Sequence, residues 1–258
     1  MSWPRRLVCG DELRLADGKD PFPPLLSLHM KGDLSMAKVI FNYGHLLLEA
    51  LGQTLILALY GLFFACILGL IFGILSVVKN RLCRAVSFVF VYTIRGVPMV
   101  VLAMFVFFGV PQFCKEILNW PITFTALEAG TICLALNCGA YMSEIIRGGI
   151  QSVDKGQMEA ARSLGLPYWR AMQRIVLPQA IKTMIPSIIN QFIITLKDTS
   201  ILSFIGFPEL VNSAKNVVAN TFAIFQTWAV VAVMYLVVIT LLSLLAKYVE
   251  RRLARGRE

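Results

Sequence analysis

The sequence predicts an all-α integral membrane protein with about five transmembrane helices. Of its 258 residues, 57% are hydrophobic and only 15% are charged, and the mean hydropathy is +0.72. Soluble domains have about half apolar and about a quarter charged residues. The apolar residues also lie in long runs, and a helix needs about 20 such residues to cross the hydrocarbon core of a bilayer.

Five apolar segments are long enough to span the membrane. The second is interrupted by the sequence RGVP at residues 95–98, and the third contains Glu128. The fourth is predicted to kink at Pro186, because proline removes a backbone hydrogen bond from a helix. The five predicted spans lie within residues 50–78, 85–114, 121–143, 178–204 and 216–246.

Small residues recur at four-residue steps on the first and third predicted spans. Lipid gives helices no hydrophobic reason to associate, so small side chains that let two backbones approach closely supply the contact. We therefore expect these stripes to be structural and the bundle to be tightly packed. The stripe residues are Gly61, Ala65, Gly69 and Gly73 on the first span, and Thr131, Ala135, Gly139 and Ser143 on the third.

Basic residues are distributed unevenly between the two ends of the predicted spans. Residues 79–84, 147–182 and 247–257 contain three, six and five Lys and Arg residues, whereas the loops on the opposite side contain only Lys115 and Lys215. Cytoplasmic loops of membrane proteins are enriched in Lys and Arg. We therefore expect the C-terminus to be cytoplasmic and the N-terminus to lie outside.

The chain divides into three parts on this topology. Residues 1–45 are predicted to form an extracytoplasmic tail without stable order, and residues 46–250 to form the transmembrane domain. A cytoplasmic loop at residues 147–178 belongs to this domain, and residues 251–258 form a basic cytoplasmic tail.

The composition argues against several other classes of function. The net charge of +9 comes from basic residues beside the ends of apolar runs, which membrane topology explains without a nucleic-acid partner. The six cysteines include no CxxC pair, so we expect free thiols and no metal site. Gly18-Lys19 lacks the upstream glycine of a phosphate-binding loop, and no catalytic constellation is visible, so the chain is not expected to be an enzyme.

The cytoplasmic loop before the fourth span is predicted to contain two short helices. Asp154 fits the N-cap of the first, with Gln157 three residues later as in a capping box, and Gly165 fits its C-cap. Pro167 fits the first turn of the second helix. The pattern predicts a short, stiff helix between two breaks, lying across the membrane surface.

The first of these helices has a slim face that suits docking into a groove. Ala160 and Ala161 keep the face narrow, and Glu159 can make a charged contact. A helix that rests on lipid carries bulky apolar residues on one face, whereas this one offers only Met158 and Leu164. The sequence therefore favours a protein partner.

Several ordered motifs resemble the permease subunits of ATP-binding-cassette importers, in the branch that serves histidine, glutamate, glutamine, arginine and opines. The resemblance extends from about residue 44 to residue 252, and it departs from the branch at Val97 and Cys138. The matching motifs are the EAA loop (Glu159-Ala160-Ala161, Gly165, Ile175-x-Leu177-Pro178), AYMSEIIRGGI at 140–150, GQMEAARSLG at 156–165, LPQA at 177–180, LKDTS at 196–200, and RGVP at 95–98, close to the RGTP of that branch.

This resemblance implies a type I importer fold in the bacterial cytoplasmic (inner) membrane and a set of partners. The partners are an ATPase dimer in the cytoplasm, a second permease chain (identical or related), an extracytoplasmic amino-acid-binding protein and a polar amino acid substrate. No cofactor is expected in this chain, because ATP and Mg²⁺ are bound by the partner ATPase. The resemblance also implies that Gly156, Glu159, Ala160, Ala161 and Gly165 couple the two subunits.

Charged residues within the predicted spans are candidates for the substrate path, because burying an unpaired charge in the bilayer is costly. Lys197 and Asp198 either pair with each other in a structural network or contact the charged groups of an amino acid; Thr199 and Ser200 follow them in this candidate set. Arg95 belongs to the same set, near mid-membrane or at the membrane edge if Pro98 starts the true span.

Glu144 and Arg147 form a second candidate pair at the cytoplasmic end of the third span. They are three residues apart and therefore lie on one face of a helix. This arrangement is typical of a gate or a structural ion pair more than of a binding site.

Two other classes of protein remain as alternatives. A stand-alone secondary transporter usually has more spans and internal repeats, and none is visible here. A membrane scaffold that docks a cytosolic partner explains the loop at 156–180 but gives no reason for charges within the fourth span.

Overall fold

The computed structural model describes residues 36–254, with side chains described up to residue 248. The predicted tail at 1–45 therefore lies mostly outside the described residues, and its last ten residues belong to the first helix. We number the helices α1 (Met36–Val77), α2 (Arg81–Gly96), α3 (Met99–Ile117), α4 (Ala126–Gln151), α5 (Lys155–Ser163), α6 (Tyr168–Ile205), α7 (Leu210–Thr221) and α8 (Ile224–Ala254).

Five of these helices are long and apolar enough to cross a membrane, as the sequence predicts. They are α1, α3, α4, α6 and the Ile224–Tyr248 part of α8. The predicted second span divides at Val97, which has an extended backbone (φ −101°, ψ 130°). Pro98 explains the division, because proline disfavours the helical conformation of the residue before it.

The third span begins later than predicted, and Glu128 lies at its start instead of inside it. The side chain of Thr125 accepts a hydrogen bond from the Glu128 backbone N–H (3.2 Å), and a Glu128 carboxylate oxygen accepts one from the Thr125 N–H (2.8 Å). This reciprocal capping box satisfies backbone N–H groups that have no partner within the helix. Glu128 is therefore a capping residue.

The fifth predicted span also needs a correction at its start. Residues 216–221 belong to the separate helix α7, which ends where Phe222 adopts a left-handed conformation (φ 55°). The apolar helix α8 begins two residues later. At the other end of the chain, α1 begins 14 residues before the predicted first span.

The most extensive contact in the bundle joins α1 to α4, along the two stripes of small residues. A Cβ atom added at Gly61 would lie 2.6 Å from Leu134 Cβ, and one added at Gly69 would lie 2.5 Å from Met142 Cβ. In return, a Cβ added at Gly139 would lie 2.9 Å from Leu68 Cβ. The stripes are therefore structural, as expected, and they make contact within one chain.

We predict that Gly69→Leu lowers the melting temperature of the detergent-solubilised protein far more than Gly52→Leu does. A side chain at Gly69 collides with α4, whereas a Cβ at Gly52 has no atom within 4 Å. Over-packing a tight contact costs about 1–3 kcal/mol. Equal melting temperatures for the two variants would contradict the close approach of α1 and α4.

Candidate functional site

The cytoplasmic loop forms the short helix α5 with defined caps at both ends. Asp154 Oδ1 accepts a hydrogen bond from the Gly156 N–H (2.6 Å), which confirms Asp154 as the N-cap. Gln157 does not complete the predicted capping box among the described hydrogen bonds; its N–H donates to the Asp154 carbonyl (3.1 Å). The next helix begins at Tyr168, so Pro167 takes its N-cap position instead of the first turn.

The C-terminal end of α5 closes with a left-handed glycine, as predicted. Gly165 has a φ of +83°, a conformation that glycine adopts without steric cost. Its N–H donates to the Arg162 carbonyl (3.0 Å), and the Leu166 N–H donates to the Ala161 carbonyl (3.2 Å). These bonds satisfy carbonyls at the helix end, so α5 has a fixed length and direction.

The two alanines of α5 differ in exposure. Ala161 is buried (2% exposed), on the side where α5 contacts the turn at 172–176. Glu159 and Ala160 are exposed. The predicted coupling residues are therefore of two kinds: Ala161 attaches the helix to its own chain, and Glu159 with Ala160 presents the free face.

A network of charged side chains joins the end of α2 to α4. Arg147 donates to both carboxylate oxygens of Glu144, through Nε (3.0 Å) and Nη2 (2.7 Å). Arg95 Nη1 lies 3.6 Å from the same carboxylate, and the Arg95 guanidinium lies 4.8 Å from the centre of the Tyr141 ring. The apolar span α3 begins at Met99, so Arg95 precedes this span and lies at the helix break.

Arg95 also lies between two cavities. One, of about 640 Å³, is lined by Glu144, Arg147 and Arg84 together with Arg95. The other, of about 500 Å³, is bounded by the 95–99 break, α4 and α6. The second cavity brings together the side chains of Arg95, Asn137, Tyr141, Gln191 and Asp198.

Lys197 and Asp198 line different cavities. Asp198 lines the cavity that Arg95, Asn137 and Gln191 also line, whereas Lys197 lines a separate apolar cavity with Trp228 and Tyr235 of α8. Ion pairs within 4 Å among the described residues include His45–Glu49, Arg95–Glu144 and Arg147–Glu144, and neither Lys197 nor Asp198 belongs to one of these. Lys197 and Asp198 are therefore not joined by such a pair.

The two hydroxyl residues after Asp198 bond to the backbone of α6. Thr199 Oγ1 donates to the Leu196 carbonyl (2.8 Å) and is fully buried, and Ser200 Oγ donates to the Lys197 carbonyl (2.7 Å). Neither lines the cavity that contains Asp198. Of the four predicted path residues on α6, only Asp198 lines a cavity together with Arg95.

Asn137, Tyr141 and Gln191 are cavity residues that sequence reasoning missed. All three are polar residues inside apolar spans, and this was the available signal. They carry no charge, so the presence of charges within the spans does not single them out. In the part of the chain that the structure describes, no group of three His, Cys, Asp or Glu side chains could hold a metal ion.

Comparisons with known proteins identify the family. Residues 65–255 match the family of binding-protein-dependent transport system inner membrane components. The glutamine transport system permease protein GlnP of Escherichia coli (strain K12) is 35% identical over 208 residues, 81% of this chain and 93% of that protein. A putative glutamine transport system permease protein of Rickettsia typhi is 34% identical over 222 residues, 84% of this chain and 99% of that protein.

Solved structures agree with the fold. A crystal structure of an amino acid ABC transporter with histidines has a TM-score of 0.76 at 34% identity, covering 83% of this chain and 96% of that one. An inward-facing structure of the MetNI methionine ABC transporter has a TM-score of 0.66 at 17% identity, covering 82% and 97%, which supports the fold alone. The resemblance to importer permeases and the all-α five-span fold are thus confirmed. This chain belongs to the family of binding-protein-dependent transport system inner membrane components.

Proposed function

We propose that this chain is the permease subunit of an ATP-driven importer of polar amino acids, with glutamine as the first substrate to test. The observation that carries the proposal is the exposed Glu159–Ala160 face of α5, fixed to the bundle through buried Ala161. The glutamine permeases similar to this chain over most of their length support the substrate class. Neither a secondary transporter nor a passive scaffold gains support from these relatives.

The substrate occupies the cavity between Arg95 and Asp198 in this proposal. An amino acid carries a carboxylate and an ammonium group, and the cavity offers one guanidinium and one carboxylate. Hydrogen bonds that involve a charged partner contribute about 1.5–3 kcal/mol each. Asn137 and Gln191 supply uncharged amide groups for a polar side chain.

In this proposal, Glu144 and Arg147 form the cytoplasmic gate. Arg95 contacts Glu144 on one side and lines the substrate cavity on the other. A substrate carboxylate beside Arg95 competes with the Glu144 carboxylate for the Arg95 guanidinium. The guanidinium attracts both carboxylates, and the two carboxylates repel each other. Substrate binding and opening of the gate are then linked through the Arg95 side chain.

Energy reaches the bundle from a separate ATPase dimer that binds ATP and Mg²⁺, and this chain holds no cofactor. The ATPase docks on Gly156, Glu159, Ala160 and Gly165 of the α5 region, and closure of the ATPase dimer moves α5. Two permease chains, identical or related, and an extracytoplasmic amino-acid-binding protein complete the transporter. The complex lies in the bacterial inner membrane, with the C-terminus of this chain in the cytoplasm and the N-terminus outside.

We predict that Ala160→Trp and Glu159→Lys leave the protein folded and inserted but abolish ATP-dependent uptake. Both residues lie on the exposed face of α5, so a bulky or reversed side chain disturbs the partner interface and not the fold. Uptake and ATP hydrolysis are measured in proteoliposomes. Ala161→Trp is the matched control: this side chain is buried, so it should reduce the amount of folded protein. Normal uptake by both exposed-face variants would contradict docking at α5.

The topology predicts which side of the membrane each loop faces. In a Cys-free background, a cysteine at position 155 should react with an impermeant reagent only from the cytoplasm, and one at position 215 only from outside. Lys and Arg are enriched in cytoplasmic loops, and the loop containing residue 155 is the most basic connection between two spans. The opposite labelling pattern would reverse the proposed orientation.

Asp198→Asn should reduce uptake by about tenfold or more, because loss of one charged contact of about 1.4 kcal/mol is a factor of ten. Lys197→Met is the matched control on the adjacent residue, since Lys197 lines a different cavity; uptake should stay within about twofold of wild type. The melting temperature of each variant separates folding from transport. Loss of uptake in Lys197→Met together with normal uptake in Asp198→Asn would contradict the placement of Asp198 at the substrate and would place Lys197 there instead.

A further inference from the structure

Glu209 is a buried carboxylate at the start of α7, at the end of the bundle opposite α5. It is fully buried, and its two oxygens accept hydrogen bonds from the N–H groups of Asn212 (2.6 Å) and Val211 (2.7 Å). Burial raises the pKa of this carboxyl, while the two backbone N–H groups act in the opposite direction. Burial of a carboxylate costs free energy unless hydrogen bonds compensate it, and here the N–H groups of Asn212 and Val211 supply these bonds.

Two spans contact the first turn of α7 through hydroxyl groups. The Tyr235 hydroxyl of α8 lies 3.3 Å from a Glu209 carboxylate oxygen. Thr54 Oγ1 of α1, which is fully buried, accepts a hydrogen bond from the Leu210 N–H (3.1 Å). The beginning of α7 is therefore attached to the first span through the Leu210 N–H and to the last span through Glu209.

Helix α7 in turn contacts the segment that follows Asp198. Lys215 Nζ lies 2.8 Å from Ser203 Oγ and 4.7 Å from the centre of the Phe204 ring. Both contacted residues belong to the 3₁₀ turn Thr199–Ile205, which begins at the residue after Asp198. Lys215 thus connects α7 to the last part of α6.

The same 3₁₀ turn packs against the span that follows the Arg95 break. Leu202 and Ile205 belong to one buried cluster with Leu102 and Ala103 of α3. The turn therefore lies between α7 and α3. Asp198 immediately precedes the turn, and Arg95 lies at the helix break before α3. A shift of α7 must move the turn or break the Lys215 contact, because packed interiors deform little.

We infer that Glu209 is a positioning residue for the Asp198 cavity: it caps α7 and fixes it to α8 through Tyr235, and α7 holds the 199–205 turn that sets the direction of Asp198. This inference rests on the proposed substrate site. A purely structural role would lower the amount of assembled transporter and all its activities together. A positioning role lowers uptake per assembled complex while assembly and basal ATP hydrolysis are retained.

The test uses the complete transporter in proteoliposomes with Glu209→Gln, Asp198→Asn and the double variant. We expect Glu209→Gln to retain basal ATP hydrolysis within about twofold and to lower uptake per complex by about tenfold, the factor that corresponds to about 1.4 kcal/mol of lost substrate binding. In the Asp198→Asn background it should lower uptake by less than about twofold further, because two changes in one network are not additive. Multiplicative losses would overturn the inference.

Lys215→Met keeps the inference testable where Glu209→Gln does not fold. It breaks the contact with Ser203 and changes a residue that is itself exposed, so it should assemble and show the same non-additive loss with Asp198→Asn. Full uptake by Lys215→Met would overturn the inference. Unchanged uptake in Asp198→Asn alone contradicts the proposed substrate site, whereas normal uptake in Glu209→Gln with a loss in Asp198→Asn contradicts only the positioning role.

Discussion

The close contact between α1 and α4 is the constraint on which the rest of the structure depends. There is no room for a side chain on α1 at Gly61, Gly69 and Gly73. Side chains of α4 therefore pack directly against the α1 backbone. In a bilayer this contact must come from packing, because lipid supplies no hydrophobic drive for helix association. Once α4 is placed, its other faces are available to α2 and α6, and the polar cavities form there.

Helix α4 connects the proposed substrate cavity to the proposed docking helix α5. Asn137 and Tyr141 line the cavity with Asp198, and Glu144 and Arg147 bind each other one turn further along. Three residues after its end, Asp154 caps α5. A displacement of α5 by a partner therefore acts at the end of the helix that carries both the cavity and the ion pair. In the proposed transporter, this arrangement is the physical route from the ATPase to the substrate.

The sequence predicted the features that depend on local pattern. Apolar runs located five spans, and Asp154 and Gly165 located the ends of α5, because caps need particular residue types. The division between α7 and α8 was missed, since the left-handed residue there is Phe222 and not glycine. Local pattern also does not predict that Lys197 and Asp198 line different cavities, or that Glu209 is buried. Both features depend on which distant helix packs against each side chain.

The central claim is that transport by this chain is driven by a separate ATPase that docks on α5. The most direct measurement is uptake of radiolabelled glutamine into proteoliposomes that contain the permease, its binding protein and the ATPase, with either the active or a hydrolysis-deficient ATPase. The account predicts uptake only with the active ATPase and ATP on the side of α5. Equal uptake with the inactive ATPase, or uptake driven by an ion gradient without it, would contradict the account.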